Sequence, residues 1–308
     1  MLAESTDNRG SLTPAPPPLV SIGMPVYNEA RFLEESLAAL LAQDYPHFEI
    51  ILSDNGSTDG TRAIAEQAAA RDPRVRVVGF PENRGVAANF IQVYSLATGQ
   101  YYMWASGHDL WSKNLLGEMV ALLESHPQAA LAFATSAWID AQGAPLAKEY
   151  GWTDTRGMDV VGRYLTVLFG NVHPVLGLMR MAYLQEVPGF ARCPGADLIL
   201  LSELVLKGDF LHATQAVCWR RAIRAAESHA ERMDRYRSRQ FDPAGADASR
   251  YFPLLALPRE LLRVLWRARL PWMDKALIGL SLVTALPLRY LTGRRETASR
   301  LRAAAPQP

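Results

Sequence analysis

A regular exchange of strand and helix patterns, joined by short turns, governs what residues 19–104 can fold into. Leu19-Val-Ser-Ile-Gly-Met24 reads as a strand stopped by Pro25. A helix pattern follows from Asn28, its natural N-cap, with Leu33, Leu37, Leu40 and Leu41 on one face at i, i+4, i+7, i+8. Phe48 to Ser53 is a second strand and Asp54 to Gly60 a turn cluster, after which Asp59 caps a helix from Thr61 to Ala70. Val75 to Phe80 is a third strand, Val86 to Ala97 a third helix and Tyr101 to Trp104 a fourth strand. Such βαβ units cross over right-handedly and give a mostly parallel sheet with helices on its faces. Ligands of these sheets bind beyond the carboxyl ends of the strands. Three polar loops fall there, Pro25 to Asn28, Asp54 to Asp59 and Ser106 to Asp109, which predicts a pocket along one sheet edge.

Composition narrows the class. Of 308 residues, 49% are apolar and 20% charged, so a core can form without disulfide staples. The two cysteines, Cys193 and Cys218, have no metal-ligand spacing and read as idle thiols of a reducing compartment. The longest apolar run, Ala276 to Leu288, is shorter than a membrane span and suits a buried or interfacial helix. Met1 to Gly10 is polar, so no signal peptide is expected, and residues 1–18 read as a disordered leader ending in Pro-Ala-Pro-Pro-Pro. Net charge is +1, yet from Trp219 onward there are 18 Lys/Arg against 8 Asp/Glu, and before it 14 against 23. A basic tail on an acidic body calls for an anionic partner, a membrane surface ahead of nucleic acid. Leu261 to Arg269 has the pattern of a basic amphipathic helix.

Val20-Ser-Ile-Gly-Met-Pro-Val-Tyr-Asn-Glu29, Leu52-Ser-Asp-Asn-Gly-Ser-Thr-Asp59 and Asn83-Arg-Gly-Val-Ala-Ala-Asn89 stand in that order on predicted strand ends. Together they resemble the signatures of family 2 glycosyltransferases, over roughly residues 18–215. The resemblance implies a GT-A fold: an α/β unit with a mostly parallel central sheet flanked by helices, here followed by a helical C-terminal extension. It implies that Pro25, Tyr27, Asp54 and Arg84 hold a nucleotide-diphospho-sugar. The residue types suit that task. Tyr27 offers a packing surface for a base, Asp54 accepts hydrogen bonds from it, and Arg84 presents a planar guanidinium to base or phosphate. Asn28, Glu29 and Asn55 are further contact candidates. Asn28 and Asp59 also have a capping reading, Glu29 a first-turn dipole reading, and Gly56, Ser57 and Thr58 a turn reading.

The resemblance also implies a divalent metal, Mn²⁺ or Mg²⁺, bound after the fourth strand. Where the family carries Asp-x-Asp, this chain has Trp104-Ala-Ser-Gly-His-Asp-Leu-Trp111. Asp109 aligns with the final, metal-binding Asp, while Ser106 and His108 stand where carboxylates are common. Hard cations prefer oxygen ligands, and an imidazole among them favours Mn²⁺. Three readings of His108 stay open: a metal ligand or diphosphate contact, a structural histidine, or the mark of a weakened site. Protonated, it can partly replace a metal's charge. Ser106 can hydrogen-bond a sugar or ribose hydroxyl.

Pro194-Gly-Ala-Asp-Leu-Ile-Leu-Leu-Ser-Glu203 resembles the family's Glu-Asp segment, with Ala196 in place of the Glu and Asp197 in the position of the catalytic base. Asp197 can equally cap a helix from Leu198 to Leu206, and the two roles are compatible. Glu203 reads as structural or as an acceptor contact. Asn171 to Arg180 resembles the acceptor-side segment, which makes His173 and Arg180 candidates for acceptor or donor contact, or for core or surface roles. Arg220 and Arg221 stand where the family often closes a basic loop over the diphosphate.

The expectation is an inverting, non-processive glycosyltransferase of bacterial cell-envelope glycan synthesis. Residues 19–218 form its GT-A domain and 219–308 a basic, mainly helical region. Its donor is a nucleotide-diphospho-sugar and its acceptor a glycan or lipid-linked glycan; an anionic membrane surface and self-association are open to it, nucleic acid is not. It works in the cytoplasm, at the inner face of the plasma membrane if the tail binds lipid. A Q-x-x-R-W motif of processive synthases is absent from the sequence, as is the Gly-rich loop of nucleotidyltransferases. The alternative is a catalytically weakened nucleotide-sugar-binding relative, an assembly or regulatory partner, motivated by the missing carboxylates at Ser106 and His108.

Overall fold

Strand β1 (Val20–Val26) is buried on both faces, as an inner strand of a parallel sheet must be. In the computed structural model, which describes residues 16–147, 154–188, 195–223, 253–284 and 286–288, β1 runs parallel to β2 (Phe48–Asn55) and to β4 (Tyr101–Trp104). β3 (Val75–Phe80) extends the parallel set beyond β2. The crossovers are α1 (Leu33–Leu41), α2 (Thr61–Arg71) and α3 (Val86–Ser95). After β4 come β5 (Leu110–Trp111), α4 (Leu115–Ser125), β6 (Ala129–Ile139), β7 (Pro145–Leu146) and α5 (Val160–Phe169). A short 3-10 turn (His173–Leu176), β8 (Leu178–Arg180), α6 (Met181–Leu184), α7 (Ala196–Val205) and β9 (Asp209–Arg221) follow. Helix α8 (Pro253–Arg267) and a helical segment 272–284 lie C-terminal to them.

Among the described residues the strands form one sheet in the order β3-β2-β1-β4-β8-β6-β9-β5, with β7 paired to β6. β8 is antiparallel to both β4 and β6, and β5 antiparallel to β9, while β6 and β9 are parallel. The expected α/β architecture is present, a mostly parallel sheet whose second half is mixed.

Alternation along the strands divides the core in two. Val20, Ile22 and Met24 of β1 and Tyr101 and Met103 of β4 pack with α1 and α4 on one face. Tyr102 and Trp104 pack with α3, α5 and α7 on the other. On that second face β1 presents Gly23, where a Cβ would lie 2.1 Å from Tyr102 Oη and 2.9 Å from Val93 Cγ2. Only glycine lets the buried tyrosine and α3 approach so closely.

Several expected boundaries move. β1 continues through Pro25 to Val26, in register with Ser53 and Asp54. Gly23 accepts a hydrogen bond from Ala105 N–H, and Pro25, two residues on, faces the same side just beyond the end of β4, so its missing N–H leaves no ladder bond unmade. Asn28 is not a helix cap. It holds a left-handed backbone (φ 54°), and α1 starts only at Leu33 after a turn closed on the Glu29 carbonyl. Asp59 does serve the start of α2, accepting from Thr61 N–H at 2.9 Å. Asp197 sits inside the first turn of α7; the residue before that helix is Gly195 (φ 86°), where a Cβ would press on Leu257 of α8. β9 runs through Arg221, so residue 219, where the helical region was expected to begin, lies inside a strand. Residues 1–15 of the expected leader and Cys193 lie outside the described residues; Cys218 is a buried thiol.

Candidate active site

The carboxyl ends of β1, β2, β3 and β4 open onto one edge, and the loops there are tied to each other. Asn28 N–H donates to Ser57 Oγ at 2.9 Å, and Thr58 N–H donates to Asn28 Oδ1 at 2.9 Å. Glu29 N–H donates to Thr61 Oγ1 at 2.7 Å and Ala30 N–H to Asp59 Oδ2 at 3.2 Å. Burial acts to raise the Asp59 carboxyl, but hydrogen bonds from Thr61 and Ala30 outweigh it and hold the group below its ordinary value. Gly56 makes the turn after β2 with φ 70°, and a Cβ there would sit 2.6 Å from the Glu82 backbone. That position needs glycine both for its backbone and for its space.

Asn55 fastens the loop after β3. Its Nδ2 donates to Asn83 Oδ1 and to the Gly85 carbonyl, and its Oδ1 accepts from Arg84 N–H at 2.9 Å. Its amide is therefore spent on shaping the loop rather than on a ligand, which corrects the expectation of a direct contact. Asn89, for which the sequence suggested no role, is buried and bridges the ends of β1 and β2, donating to the Val26 and Ser53 carbonyls. Asn28 likewise locks two loops through its amide oxygen. The groups left to face the edge are Tyr27, which is exposed, Asp54, whose Oδ1 accepts from Ser57 N–H at 3.2 Å, and the exposed Arg84, whose guanidinium lies 4.9 Å over the Phe80 ring. Pro25 forms the strand end beneath them.

The loop after β4 reaches the same edge. His108 Nδ1 meets Glu29 Oε1 at 2.9 Å, and its Nε2 stands 4.0 Å from Asp109 Oδ1. Gly107 lets the loop pass under Glu29, where a Cβ would lie 3.0 Å from Glu29 Cγ and from Val26 Cγ1. Asp109 is buried; its Oδ1 accepts from Arg221 N–H at 2.8 Å and its carbonyl from Ser36 Oγ at 2.8 Å. Ser106 Oγ is buried without a partner among the described residues. When Nδ1 donates to Glu29, Nε2 keeps its lone pair on the Asp109 side, the way a carboxylate orients a metal-binding imidazole. Among the described residues no group of three or more His, Cys, Asp or Glu side chains is arranged to hold a metal. His108 Nε2 and the Asp109 carboxylate are the two groups of this loop that could ligate a cation.

Neighbouring strand residues point to opposite faces, and this separates the two arginines of β9. Arg221 turns inward: Nε donates to the His108 carbonyl at 3.0 Å, Nη1 to the Ala141 carbonyl at 3.3 Å and Nη2 to Glu35 Oε2 at 2.7 Å, with the guanidinium over Phe32. It supports the loop from behind and does not face a diphosphate. Arg220 turns the other way, lies 4.9 Å over the Trp138 ring, and acts on Asp197. Burial pushes the Asp197 carboxyl above its ordinary value, and Arg220 pulls against that rise. Trp138 also neighbours His173, with ring centroids 5.7 Å apart.

Arg180 does not belong to this edge. β8 is antiparallel to β4, so Arg180 pairs with Tyr101 at the amino end of β4. There its guanidinium donates to the Ala129 and Leu123 carbonyls and to Tyr101 Oη, closing the carboxyl end of α4. Glu203, at the far end of α7, lines a separate cleft of ≈ 650 Å³ with Lys207 and Arg267, and burial lifts its carboxyl to about 7.

A family model described as glycosyl transferase family 2 matches residues 21–183. TuaG of Bacillus subtilis, named for teichuronic acid biosynthesis, is 34% identical over 131 residues, 42% of this chain and 52% of that protein. Glycosyltransferase GlyG of Streptococcus pneumoniae is 36% identical over 99 residues, 32% of this chain and 33% of that protein. The chain thus spans about half or less of the length of these relatives. Among solved structures, Staphylococcus aureus TarS 1-349 in complex with UDP-GlcNAc superposes with a TM-score of 0.61 at 18% identity, covering 86% of this chain and 72% of that one. The mannosyltransferase PcManGT of Pyrobaculum calidifontis, in complex with GDP-Man and Mn²⁺, gives 0.55 at 22% identity, covering 93% and 86%. At these identities the likeness speaks for the GT-A fold.

Proposed function

The chain belongs to glycosyl transferase family 2, and on that premise we propose that it is an inverting, non-processive glycosyltransferase of cell-envelope glycan synthesis. The donor is a nucleotide-diphospho-sugar and the acceptor a hydroxyl of a glycan or lipid-linked glycan. The observation that carries the reading is the meeting of Tyr27, Asp54, Arg84 and the His108–Asp109 pair on one sheet edge, held by loops that hydrogen-bond to each other. The nucleotides in the two solved structures, a UDP-sugar and a GDP-sugar, support a donor of this class.

In this reading Tyr27 packs on the base, Asp54 accepts its N–H groups, and Arg84 meets the diphosphate. Asp109 and His108 would hold Mn²⁺ in preference to Mg²⁺, and the ion would offset charge on the departing diphosphate. Ser106 Oγ, buried and unpartnered, is available to a sugar or ribose hydroxyl. Asp197 Oδ takes the proton of the acceptor hydroxyl; that oxygen forms the new bond to the anomeric carbon, and the bond to the diphosphate oxygen breaks with its electron pair on the nucleotide. Attack opposite the leaving group inverts the centre. A carboxyl raised by burial is a stronger base than a free aspartate, provided it is ionised, and Arg220 favours the ionised form. The basic composition from Trp219 onward supports a peripheral position on the inner face of the plasma membrane.

The test is release of nucleoside diphosphate from UDP- and GDP-sugars with Mn²⁺ and a bacterial lipid extract as acceptor source. Release should be lost in Asp197→Asn, with donor binding kept, and both should weaken in Asp109→Asn. Donor binding with no turnover, unchanged by Asp197→Asn, would favour the nucleotide-sugar-binding partner instead.

A further inference from the structure

We propose that the exposed face formed by α8 and the segment 272–284 docks on an anionic lipid surface, which deepens the peripheral placement above and does not depend on the transfer chemistry. Two periodicities carry it. In α8, Leu261, Val264 and Leu265 are buried on one side, and the outward positions 259, 262, 263, 266 and 267 fall on one opposite stripe. That stripe reads Arg-Leu-Arg-Trp-Arg, and these five side chains line a surface groove of ≈ 380 Å³. In segment 272–284, Ile278 and Leu282 are buried, yet the opposite side is apolar as well. Trp272, Met273, Leu277, Leu280 and Val283 are all exposed, three of them by about 70% or more, and Trp266 by 84%. A helix apolar on both sides is not finished by packing on one.

The charge chooses the occupant. Residues 253–288 hold five Lys/Arg against two Asp/Glu, and Glu260 already pairs with Arg263 at 2.7 Å. Arginines bordering exposed tryptophans and leucines match a negative headgroup layer over an apolar interior, where tryptophan also prefers to sit. Among the described residues no helix is long and apolar enough to cross a membrane, so the face lies in the interface plane. The placement has a consequence for the acceptor. α8 packs on α7, and Leu257 abuts Gly195, two residues from Asp197. Docking by this face brings the start of the helix that carries Asp197 toward the bilayer, where a lipid-linked hydroxyl is delivered.

The full chain is tested by sedimentation with phosphatidylcholine vesicles, with and without about 30% phosphatidylglycerol, at roughly 50 mM and 300 mM salt. The chain should bind the anionic vesicles, more weakly at high salt, and the neutral ones much less. Trp266→Ser with Leu280→Ser should weaken binding at least about tenfold, and Arg259→Gln with Arg263→Gln roughly fivefold or more. Both pairs are at the surface, so thermal unfolding and nucleotide-sugar binding should be unchanged. No binding to anionic vesicles, equal binding to neutral ones, or a chain dimer that Trp266→Ser with Leu280→Ser dissociates without any vesicle binding overturns the proposal. Loss of nucleotide-sugar binding by the wild type would instead count against the transferase reading alone.

Discussion

Replacing Arg221 by alanine separates a support for the loop after β4 from a contact to the diphosphate. The side chain is 2% exposed and makes three hydrogen bonds, to the carbonyls of His108 and Ala141 and to Glu35, with its guanidinium over Phe32. Each backbone carbonyl left unpaired in the interior costs about 1 kcal/mol. Loss of the cation–π contact and the packed stem adds about 1 kcal/mol. The Glu35 carboxylate is itself half-exposed and rehydrates, so its pair contributes only about 0.5 kcal/mol. The sum is about 3–4 kcal/mol, which for a chain of this size lowers Tm by roughly 6–10 °C. Arg221→Lys should recover little of it, since an ammonium cannot reach three acceptors in a planar fork. Urea or thermal unfolding of the two variants without nucleotide is the assay. Wild-type stability with weakened donor affinity would refute the support role and return Arg221 to the diphosphate.

Asp197→Asn has a pH signature. Because burial raises the folded pKa above the unfolded one, this carboxyl stabilises the fold fully below the unfolded pKa, and that contribution is lost as pH rises through the folded pKa. The asparagine variant should therefore match wild type in Tm near about pH 3–4 and exceed it near about pH 8, while transfer falls about 10²–10⁴-fold; equal Tm at both pH values would contradict the burial argument. Gly56→Ala should cost about 1–3 kcal/mol, read by chemical denaturation, because φ 70° and the Glu82 backbone both oppose a side chain; an undisturbed variant would mean the turn can rearrange. Arg180→Ala should lose about 2–3 kcal/mol of stability with donor affinity within roughly twofold of wild type, and a large affinity loss at unchanged stability would put it back in the site.

Local pattern carried the sequence reading as far as β4. Parallel βαβ units repeat one handed step, so the strand ends and their loops could be placed without any long-range contact, and the ends of β1, β2 and β3, next to which Tyr27, Asp54 and Arg84 stand, do lie side by side. Past β4 the sheet is mixed: β6 and β9 keep the direction of β4, while β8 between β4 and β6 runs against it. Arg180 ends β8 much as Asp54 lies one residue from the end of β2, yet β8 is antiparallel to β4, so Arg180 lands at the amino end of β4, on the opposite edge. The Arg220–Arg221 pair looked like one basic loop until strand alternation sent its members to opposite faces. Asn28 and Asn55 are the right residue types for a ligand, but the Asn28 amide oxygen and the whole Asn55 amide are taken by neighbouring loops that only the folded arrangement brings near. Asn89 ends the Asn83–Asn89 segment, and its buried amide, with two donors, meets the Val26 and Ser53 carbonyls of β1 and β2, a long-range pair that no local pattern shows.

Titration calorimetry with UDP- and GDP-sugars in Mn²⁺, run on wild type, Asp54→Ala and Arg180→Ala, tests the donor edge most directly. Wild type should bind at least one of these donors, Asp54→Ala at least about tenfold more weakly, and Arg180→Ala as wild type does. If Asp54→Ala binds like wild type while Arg180→Ala does not, or if neither donor class binds at all, the carboxyl edge of β1, β2 and β4 is not where this chain holds a nucleotide-sugar.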